Sequence, residues 1–369
     1  MTRLAQRLAS AGLIVESHHA PSTGGRPAKL FSLSDAVGVV IGIDLSGMDI
    51  RVAVMTPSGV KEAEASRPFE GMGGASLLTQ LAELLEEFIA QAVRPGRRLL
   101  GIAISVPGTV DRGRGTVLDV SHLELHEVEL GATLHRRFGV PVHLEHDTMA
   151  AAYAEKQYGV GRRLSHLIFV TVGGGVGAGF VLDDRIYRGE AGVAGELGHV
   201  VVEANGNLCV CGKRGCLEAV ASAPALLRAA RAAIESGTAK GLAERVGADP
   251  EGLSIAALAG AAAAGDEDAR RLLRKEADYL ARAIGAVTSL LDIRTVVLGG
   301  EQALFGDFML SCIDEALPGY KLYSNAVDVV RAELGQDAAL RGASALAFRS
   351  IFGLKGLNGE ARTSGQLRD

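Results

Sequence analysis

The chain has 369 residues, 48% apolar residues and a formal net charge of −5. This length and apolar content predict a globular protein with two lobes or more, and the short, interrupted apolar runs exclude a membrane span, which needs roughly 20 apolar residues. No apolar signal core follows the first arginines, so we expect the protein in the cytoplasm. The acidic balance does not indicate nucleic-acid binding, but residues 1–35 carry +2 and leave −7 for the remainder,.

The N-terminal residues predict a helix followed by two strands. Leu4, Leu8 and Ala11 share one helical face, and Gly12 lies where a glycine commonly ends a helix,. The stretch GLIVE predicts a strand, a turn-rich loop then holds GGRPA, and residues 30–33 alternate as a return strand. A helix followed by a two-stranded ribbon is typical of the second half of a winged helix.

From Val37 onward, apolar strand-like runs alternate with helical runs, which predicts an α/β architecture. No short-period repeat is evident. Strands are expected at residues 39–45, 50–55, 99–106, 140–144, 165–172 and 295–298, and helices at 75–93, 148–158 and 342–352. An alanine-rich helical block is expected at 221–291 and a glycine-rich turn at 173–179. The domains are assigned as a partial winged helix at 1–35, a first lobe at 36–147 completed by a helix at 341–353, a second lobe at 148–340, and a polar tail at 356–369.

One histidine and three of the four cysteines lie within 18 positions of each other, in GELGHVVVEANGNLCVCGKRGC. His199, Cys209, Cys211 and Cys216 offer one imidazole and three thiolates, a soft tetrahedral set that suits Zn²⁺. Four protein ligands leave no position for water, so a structural zinc ion is expected. The alternative is a set of buried thiols beside an unrelated histidine, but apolar packing gives no reason for C-x-C-x4-C spacing among glycines. Cys312, on an apolar helical face, is expected in the core.

Five motifs, in this order, resemble those of the ROK family of sugar kinases and sugar-responsive repressors: HDTMAAAYAE, VTVGGGVGAGFVLD, GELGH, CVCGKRGCLEA and VVLGGE. The resemblance runs from about Val37 to Phe352. It implies an actin-like, two-lobed sugar kinase fold with a sugar cleft between the lobes. It also implies a homodimer or higher homo-oligomer, which the paired half-sites of operators would match.

The resemblance assigns roles to individual residues. Asp147 matches the carboxylate that acts in the kinases as general base on the sugar hydroxyl. Glu196, His199 and Glu218 match groups that hydrogen-bond the sugar. His199 would then hold zinc with one ring nitrogen and face the sugar with the other, so that zinc fixes part of a sugar pocket. Another interpretation of Asp147 is a helix N-terminal carboxylate, because it opens a helical run.

The first phosphate-binding motif departs from the kinases, which read D-x-G-G-T-K/N. Asp44 and Gly47 match that motif, but Met48 replaces the threonine. Asp49 stands where a base or an amide is common, and its charge should repel a polyphosphate.

The second phosphate loop reads Gly173, Gly174 and Gly175 where kinases have G-T-G, so a hydroxyl is lost. Its backbone N–H groups can still hold an anion, although a tight β-turn is the alternative interpretation. Gly299 and Gly300 complete the candidate nucleotide-binding set.

The sugar-site sequence also departs from the kinases. His146 stands where the kinases usually have asparagine, and histidine there resembles the repressor branch. The stretch DVSHLELHEV lacks the Asn-Leu pair and the Trp that kinases often show. The residues at the phosphate and substrate positions thus differ from those of the kinases, whereas the metal-binding motif is complete. This combination is expected of a protein that senses an effector.

The stretch TRLAQRLASAGLIVE followed by GGRPAKLFSL resembles the end of a recognition helix and the wing of the repressors. Arg3 and Arg7 would then reach phosphates or base edges, and Arg26 a minor groove. A basic linker is the alternative. Because the preceding helices are absent from this sequence, either Met1 is an internal start or the module has decayed, and the chain as written should bind DNA poorly.

These observations lead to three hypotheses. The first is a ROK-type transcriptional regulator that senses a monosaccharide or a sugar phosphate and changes its affinity for operator DNA. The alternative is an ATP-dependent hexose kinase with Asp147 as catalytic base and Mg·ATP on the glycine loops. The third is a sugar-binding protein that does neither.

Overall fold

The computed structural model describes residues 3–19, 29–47, 49–246, 252–322 and 326–354. These residues form two compact units: unit 1 runs to Ala150 and resumes at Ala339, and unit 2 covers Ala151–Ala338. Within the described ranges, no helix is long and apolar enough to cross a membrane. Met48, the predicted loop that contains Arg26, and the predicted tail at 356–369 lie outside the described residues.

Unit 1 is built on a five-stranded sheet with smaller strand groups beside it. Its strands are β1 (Ile14–His19), β2 (Lys29–Leu33), β3 (Val39–Asp44), β4 (Asp49–Met55), β5 (Lys61–Pro68), β6 (Leu99–Val106), β7 (Thr109–Asp111), β8 (Thr116–Val120), β9 (Leu125–Val128) and β10 (Val142–His146). Its helices are α1 (Arg3–Ser10), α2 (Gly74–Ala92), α3 (Leu130–Phe138) and the start of α4 (Asp147–Gln157). The predicted N-terminal helix and antiparallel ribbon are present as α1, β1 and β2.

Sheet 1 has the strand order β10-β6-β3-β4-β5, in which β3, β6 and β10 are parallel and β4 and β5 are antiparallel to their neighbours. All residues of β3 are buried, which is typical of a strand covered on both faces,. The carboxyl ends of the three parallel strands meet at one edge. That edge therefore carries Asp44, the last residue of β3, and Asp147, which directly follows β10.

Unit 2 is also built on a five-stranded sheet. Its strands are β11 (Leu167–Val172), β12 (Val176–Leu182), β13 (Arg185–Tyr187), β14 (Thr295–Gly300) and β15 (Asp328–Arg331). Its helices are α5 (Leu217–Ala221), α6 (Ala223–Glu235), α7 (Lys240–Val246), α8 (Ile255–Ala263), α9 (Glu267–Leu291) and α10 (Gly306–Ala316), and α11 (Ala338–Ile351) returns the chain to unit 1. The core joins α9 to the sheet, with Leu273, Leu280 and Ile284 in one cluster with Ile168 of β11.

Sheet 2 has the order β13-β12-β11-β14-β15. In both sheets an antiparallel three-stranded meander comes first, and two further strands then extend the sheet in parallel beyond the first strand of the meander. The two units therefore share one topology. In unit 1, α11 covers one face of the sheet, where Ala343, Ala347 and Phe348 pack with Val40 and Ala103.

Two sequence predictions need correction, and one strand of sheet 1 was not predicted. The glycine-rich turn is confined to residues 173–175, because β12 begins at Val176 and its two glycines pair with β11. The strand expected at 140–144 lies at Val142–His146 instead. The strand β5 was not predicted, because its sequence KEAEASRP forms an edge strand whose side chains are nowhere fully buried.

Candidate functional site

A cluster of potential metal ligands lies in unit 2. The ligand atoms of His199, Cys209, Cys211 and Cys216 all lie within 4.8 Å of one another. Cys209 Sγ is 3.5 Å from His199 Nδ1, and Cys211 Sγ is 3.6 Å from Cys216 Sγ. A tetrahedral zinc ion with bonds of about 2.0–2.3 Å separates its ligand atoms by roughly 3.5–3.8 Å. The donor set and these two separations therefore fit a tetrahedral metal ion with three sulfur ligands and one nitrogen ligand.

The backbone of residues 199–216, here termed the metal segment, turns back on itself to assemble this cluster. Val201 forms an isolated bridge with Cys216, which brings the last cysteine beside the histidine turn. Gly215 has φ of +74°, and a Cβ there would lie 1.7 Å from the carbonyl oxygen of Glu203. Only glycine fits this turn, for reasons of both conformation and space.

The three thiols differ in environment. Cys209 and Cys216 are buried, whereas Cys211 is exposed. Burial raises the pKa of the Cys216 thiol to about 11. A hydrogen bond from the backbone of Lys213 lowers the pKa of Cys211. A bound cation would hold all of these groups as thiolates, so metal uptake is coupled to proton release.

The polar groups beside the cluster are also fixed by the fold. Lys213 Nζ donates to the carbonyl oxygen of His199 at 2.8 Å. His199 Nε2 lies 3.7 Å from Glu196 Oε2, while its Nδ1 faces the cysteines. One ring nitrogen is therefore directed at the metal position and the other at a carboxylate.

Glu218 follows the end of the metal segment, in the first turn of α5. Its Oε2 accepts a hydrogen bond of 3.0 Å from the backbone N–H of Val176, the first residue of β12. Gly198, in the 3-10 turn that carries His199, packs on the same residue, because a Cβ there would lie 2.2 Å from the Val176 carbonyl oxygen. Val176 is thus a common neighbour of the histidine turn and of Glu218.

The glycines predicted to bind nucleotide come together in unit 2. The turn of Gly173, Gly174 and Gly175 follows β11, and Val172 at its base pairs with Gly300 of β14. Gly299 pairs with Thr171 in the same ladder. Gly175 also touches Glu218, since a Cβ at this position would lie 2.7 Å from Glu218 Oε2. This turn, the end of β14 and Glu218 form one continuous region of unit 2.

The first phosphate motif lies in unit 1, at the end of β3. Asp44 is 3% exposed. Its Oδ1 accepts from the backbone N–H of Ser46 at 3.1 Å and from the Ser46 hydroxyl at 2.5 Å, and its Oδ2 lies 3.4 Å from Arg51 Nη1. Burial raises the pKa of Asp44, and the hydrogen bonds from Ser46 oppose that shift. Gly47 lies in the turn that follows, and Asp49 is the first residue of β4; both are exposed.

Asp147 is the first residue of α4, and its side chain is 20% exposed. Its Oδ1 accepts from the backbone N–H of Thr148 at 2.5 Å and from the Thr148 hydroxyl at 3.1 Å. His146 Nδ1 lies 3.4 Å from the same oxygen. An acidic residue in the first helical turn is favoured by the helix dipole, so Asp147 has a local structural role in addition to any role in binding.

The predicted DNA-binding arginines are only partly described. Arg3 and Arg7 lie one turn apart on α1, and both are exposed. Arg26 lies outside the described residues.

The chain belongs to the ROK family, whose family model matches residues 40–350. It is 33% identical over 312 residues to a putative xylose repressor of Caldicellulosiruptor sp. (strain Rt8B.4), covering 84% of this chain and 77% of the relative. It is also 32% identical over 322 residues to a glucokinase of Thermotoga maritima, covering 85% of this chain and 98% of that relative.

The solved structure of a ROK family transcriptional regulator, a homologue of the E. coli MLC protein, matches with a TM-score of 0.83 and 27% identity. The match covers 95% of this chain and 88% of that chain. These comparisons confirm the family and the sugar-kinase-like α/β fold that the five motifs predicted.

Sequence reasoning missed the residues that support the candidate site from a distance. Val176 acts through its backbone N–H, across a separation of 42 positions from Glu218. Lys213 lies within the motif CVCGKRGCLEA and Arg51 lies outside the five motifs, but no role was predicted for either side chain. Their roles depend on tertiary contacts, which a local sequence pattern does not encode.

Proposed function

We propose that this protein is a sugar-responsive transcriptional regulator whose kinase-like fold binds a monosaccharide or a sugar phosphate. A structural zinc ion would be held by the cluster in the metal segment. The proposed sugar-binding residues are His146, Asp147, Glu196, His199 and Glu218. Carboxylates and an imidazole suit a ligand rich in hydroxyl groups, because they accept hydrogen bonds from several hydroxyls at once.

The main support for this proposal is the buried and hydrogen-bonded position of the Asp44 carboxylate. A carboxylate that helps to hold Mg·ATP must be ionised and open to a hydrated cation. Asp44 is instead buried, with one oxygen taken by Ser46 and the other 3.4 Å from Arg51. The exposed Asp49 adds a negative charge beyond the turn, where a polyphosphate would be repelled,.

Three of the groups proposed to bind sugar, Glu196, His199 and Glu218, are held in defined positions in unit 2. Zinc, when bound, supplies a cross-link between the two ends of the metal segment. His199 would use Nδ1 for that ion and keep Nε2, on the side of Glu196, for a hydroxyl. Glu218 keeps one oxygen on Val176 and retains further acceptor capacity for a second hydroxyl,. Sugar binding is thus supported where phosphoryl transfer is not.

The N-terminal helix and ribbon support the regulator rather than the kinase. The matched regulator structure extends over 95% of this chain, whereas the matched glucokinase extends over 85%. Arg3 and Arg7 are exposed on α1, where they would contact phosphates of operator DNA,. We propose operator DNA as a partner of the protein and a homodimer or higher homo-oligomer as its assembly.

A hexose kinase is the second candidate, favoured by one observation. The glucokinase relative is covered over 98% of its length. In that function Asp147 would remove the proton from the sugar hydroxyl. Asp44, Gly47, the turn at 173–175, Gly299 and Gly300 would hold Mg·ATP.

Ligand-induced changes in melting temperature test the proposal. A panel of hexoses, pentoses, N-acetylhexosamines and their phosphates is added to zinc-replete protein, and Mg·ATP is added separately. We expect at least one sugar to raise the melting temperature and Mg·ATP to leave it unchanged. Stabilisation by Mg·ATP together with no response to any sugar would contradict the proposal.

A further inference from the structure

One arginine and two tyrosines form a compact cluster on one side of α9. The Arg282 guanidinium lies 5.6 Å from the centroid of the Tyr279 ring and 5.3 Å from that of the Tyr320 ring. Arg282 donates to Asp278 Oδ2 through Nη2 at 2.7 Å and through Nε at 3.1 Å. The Tyr320 hydroxyl donates to the other Asp278 oxygen at 2.7 Å. The two rings and the carboxylate therefore fix the orientation of the Arg282 guanidinium.

This cluster contacts the metal segment at two consecutive residues. Arg282 Nη1 donates to the carbonyl oxygen of Val202 at 3.2 Å. The Tyr279 hydroxyl donates to Glu203 Oε1 at 2.6 Å. Burial, and then this contact with a carboxylate, raises the pKa of the Tyr279 hydroxyl to about 12. Like any tyrosine, Tyr279 is protonated at neutral pH and can act as the donor in this contact.

Val202 and Glu203 lie where the first residues of the metal segment pair with its last residues. Their backbone N–H groups both donate to the carbonyl oxygen of Gly215, at 2.8 and 3.2 Å. The adjacent residues Val201 and Cys216 form the bridge that places the last cysteine beside His199. The position of residues 202–203 therefore sets the position of the cysteine end of the segment relative to the histidine end.

The metal segment has little regular structure of its own to hold this position. From residue 200 to residue 216 it contains no helix and no strand, only two isolated bridges. Helix α9, in contrast, is 25 residues long and has a buried face in the core of unit 2. Contacts from α9 therefore connect the metal segment to a long helix that is packed in the core of unit 2.

We propose that Arg282 and Tyr279 are positioning residues for the metal centre and, through His199, for the sugar-binding groups. This inference rests on the proposed metal centre. The two side chains hold the return of the metal segment against α9 and so preassemble its ligands before the ion binds. Loss of partners that orient metal ligands typically weakens metal affinity by roughly 10- to 100-fold.

Competition for zinc with a chromophoric chelator tests the inference on the full chain. The variants are Arg282→Ala and Tyr279→Phe, the second of which keeps the ring and removes only the hydroxyl. Arg274→Ala is the matched control, because Arg274 also lies on α9, also stacks on a ring, that of Phe308 at 5.7 Å, and also pairs with a carboxylate, that of Glu267. Both arginine changes remove the same kinds of contact, but only Arg282 reaches the metal segment.

We expect zinc affinity to fall about 10-fold or more in Arg282→Ala and by a smaller factor in Tyr279→Phe, and to stay unchanged in Arg274→Ala. The visible spectrum of the cobalt-substituted protein should change in the first two variants, because it reports the ligand geometry rather than overall stability. Wild-type zinc affinity in both Arg282→Ala and Tyr279→Phe would overturn the inference while leaving the metal centre intact. Failure of the wild-type protein to bind zinc would overturn the metal centre itself, and the inference with it.

Discussion

The carboxylate of Glu218 accepts a hydrogen bond of 3.0 Å from the backbone N–H of Val176. This contact joins α5, which directly follows the last cysteine of the metal segment, to the turn of glycines between β11 and β12. One oxygen of Glu218 is thereby fixed, while the side chain stays partly exposed. The geometry suits a group that must keep its orientation and still meet a ligand.

Glu218→Gln should weaken sugar binding without unfolding the protein. The amide oxygen of glutamine can still accept from Val176, but the charged hydrogen bond to a sugar hydroxyl becomes a neutral one. Because bonds to charged groups contribute about 1 kcal/mol more than neutral ones, we expect roughly a 5- to 10-fold loss of affinity. Titration of the melting temperature with the sugar measures it. The exposed Glu235→Gln, on α6, serves as control, and equal affinity in both variants would contradict the role of Glu218.

Cys211→Ser should abolish stoichiometric zinc binding and unfold unit 2 at a lower temperature. Structural zinc contributes on the order of 10 kcal/mol to the folding of small zinc peptides, so even a fraction of this is large for one lobe. Zinc content and melting curves measure the effect. Cys312→Ala is the control, because Cys312 is buried in α10, as predicted, and lies outside the cluster. Full zinc content and an unchanged melting point in Cys211→Ser would rule out the assignment.

Two glycines of the metal segment give a matched pair of substitutions. Both have positive φ, +83° at Gly212 and +74° at Gly215. A Cβ at Gly212 meets nothing within 4 Å, whereas one at Gly215 collides with the carbonyl oxygen of Glu203. Gly212→Ala should therefore cost only the strain of a left-handed residue, about 1–2 kcal/mol. Gly215→Ala should lose zinc as well, and equal zinc affinity in the two variants would contradict the fold of this segment.

Glu276→Gln should stabilise the protein, and more so at higher pH. Glu276 Oε1 accepts from Gln302 at 2.6 Å, and burial raises the pKa of the carboxyl well above its ordinary value. The pKa of Glu276 is therefore higher in the folded protein than in the unfolded chain. Its contribution to the free energy of unfolding is fully present below the unfolded-state pKa. That contribution is lost as pH rises toward the folded-state pKa, by up to about 1.4 kcal/mol per pH unit. An amide removes this penalty, and its N–H can donate to Gln302 Oε1, which has no partner among the described residues.

Melting temperatures at pH 5 and pH 8 measure this effect. We expect the variant to melt above the wild-type protein at pH 8 and the difference to shrink at pH 5. The exposed Glu235→Gln again provides the comparison. A difference of the same size at both pH values would show that ionisation of Glu276 is not its source.

The sequence predicts best those parts of the fold that local patterns encode. Buried strands such as β3, β6 and β11 are continuous apolar runs, so their positions were predicted to within about two residues. The close grouping of His199, Cys209, Cys211 and Cys216 was predicted because apolar packing alone gives no reason for three cysteines and a histidine at such close spacing in the sequence,. The five family motifs likewise led to the family, which the comparison over residues 40–350 confirms.

Features that depend on pairing between distant residues could not be predicted. The shared topology of the two sheets is a property of strand order, and it leaves no periodic signal in the residues. The edge strand β5 alternates polar and small side chains and so resembles a loop. The contact of Arg282 with Val202 spans 80 positions and involves a backbone carbonyl, which has no sequence signature.

The central claim is that this fold senses a sugar without phosphorylating it, and sugar-dependent release of ADP tests that claim most directly. Zinc-replete protein is incubated with Mg·ATP and a panel of hexoses, pentoses and N-acetylhexosamines, with Asp147→Ala as the control. We predict no ADP above the level of the control, while a sugar of the same panel raises the melting temperature. Turnover in the wild-type protein that disappears in Asp147→Ala would contradict the claim and identify a kinase.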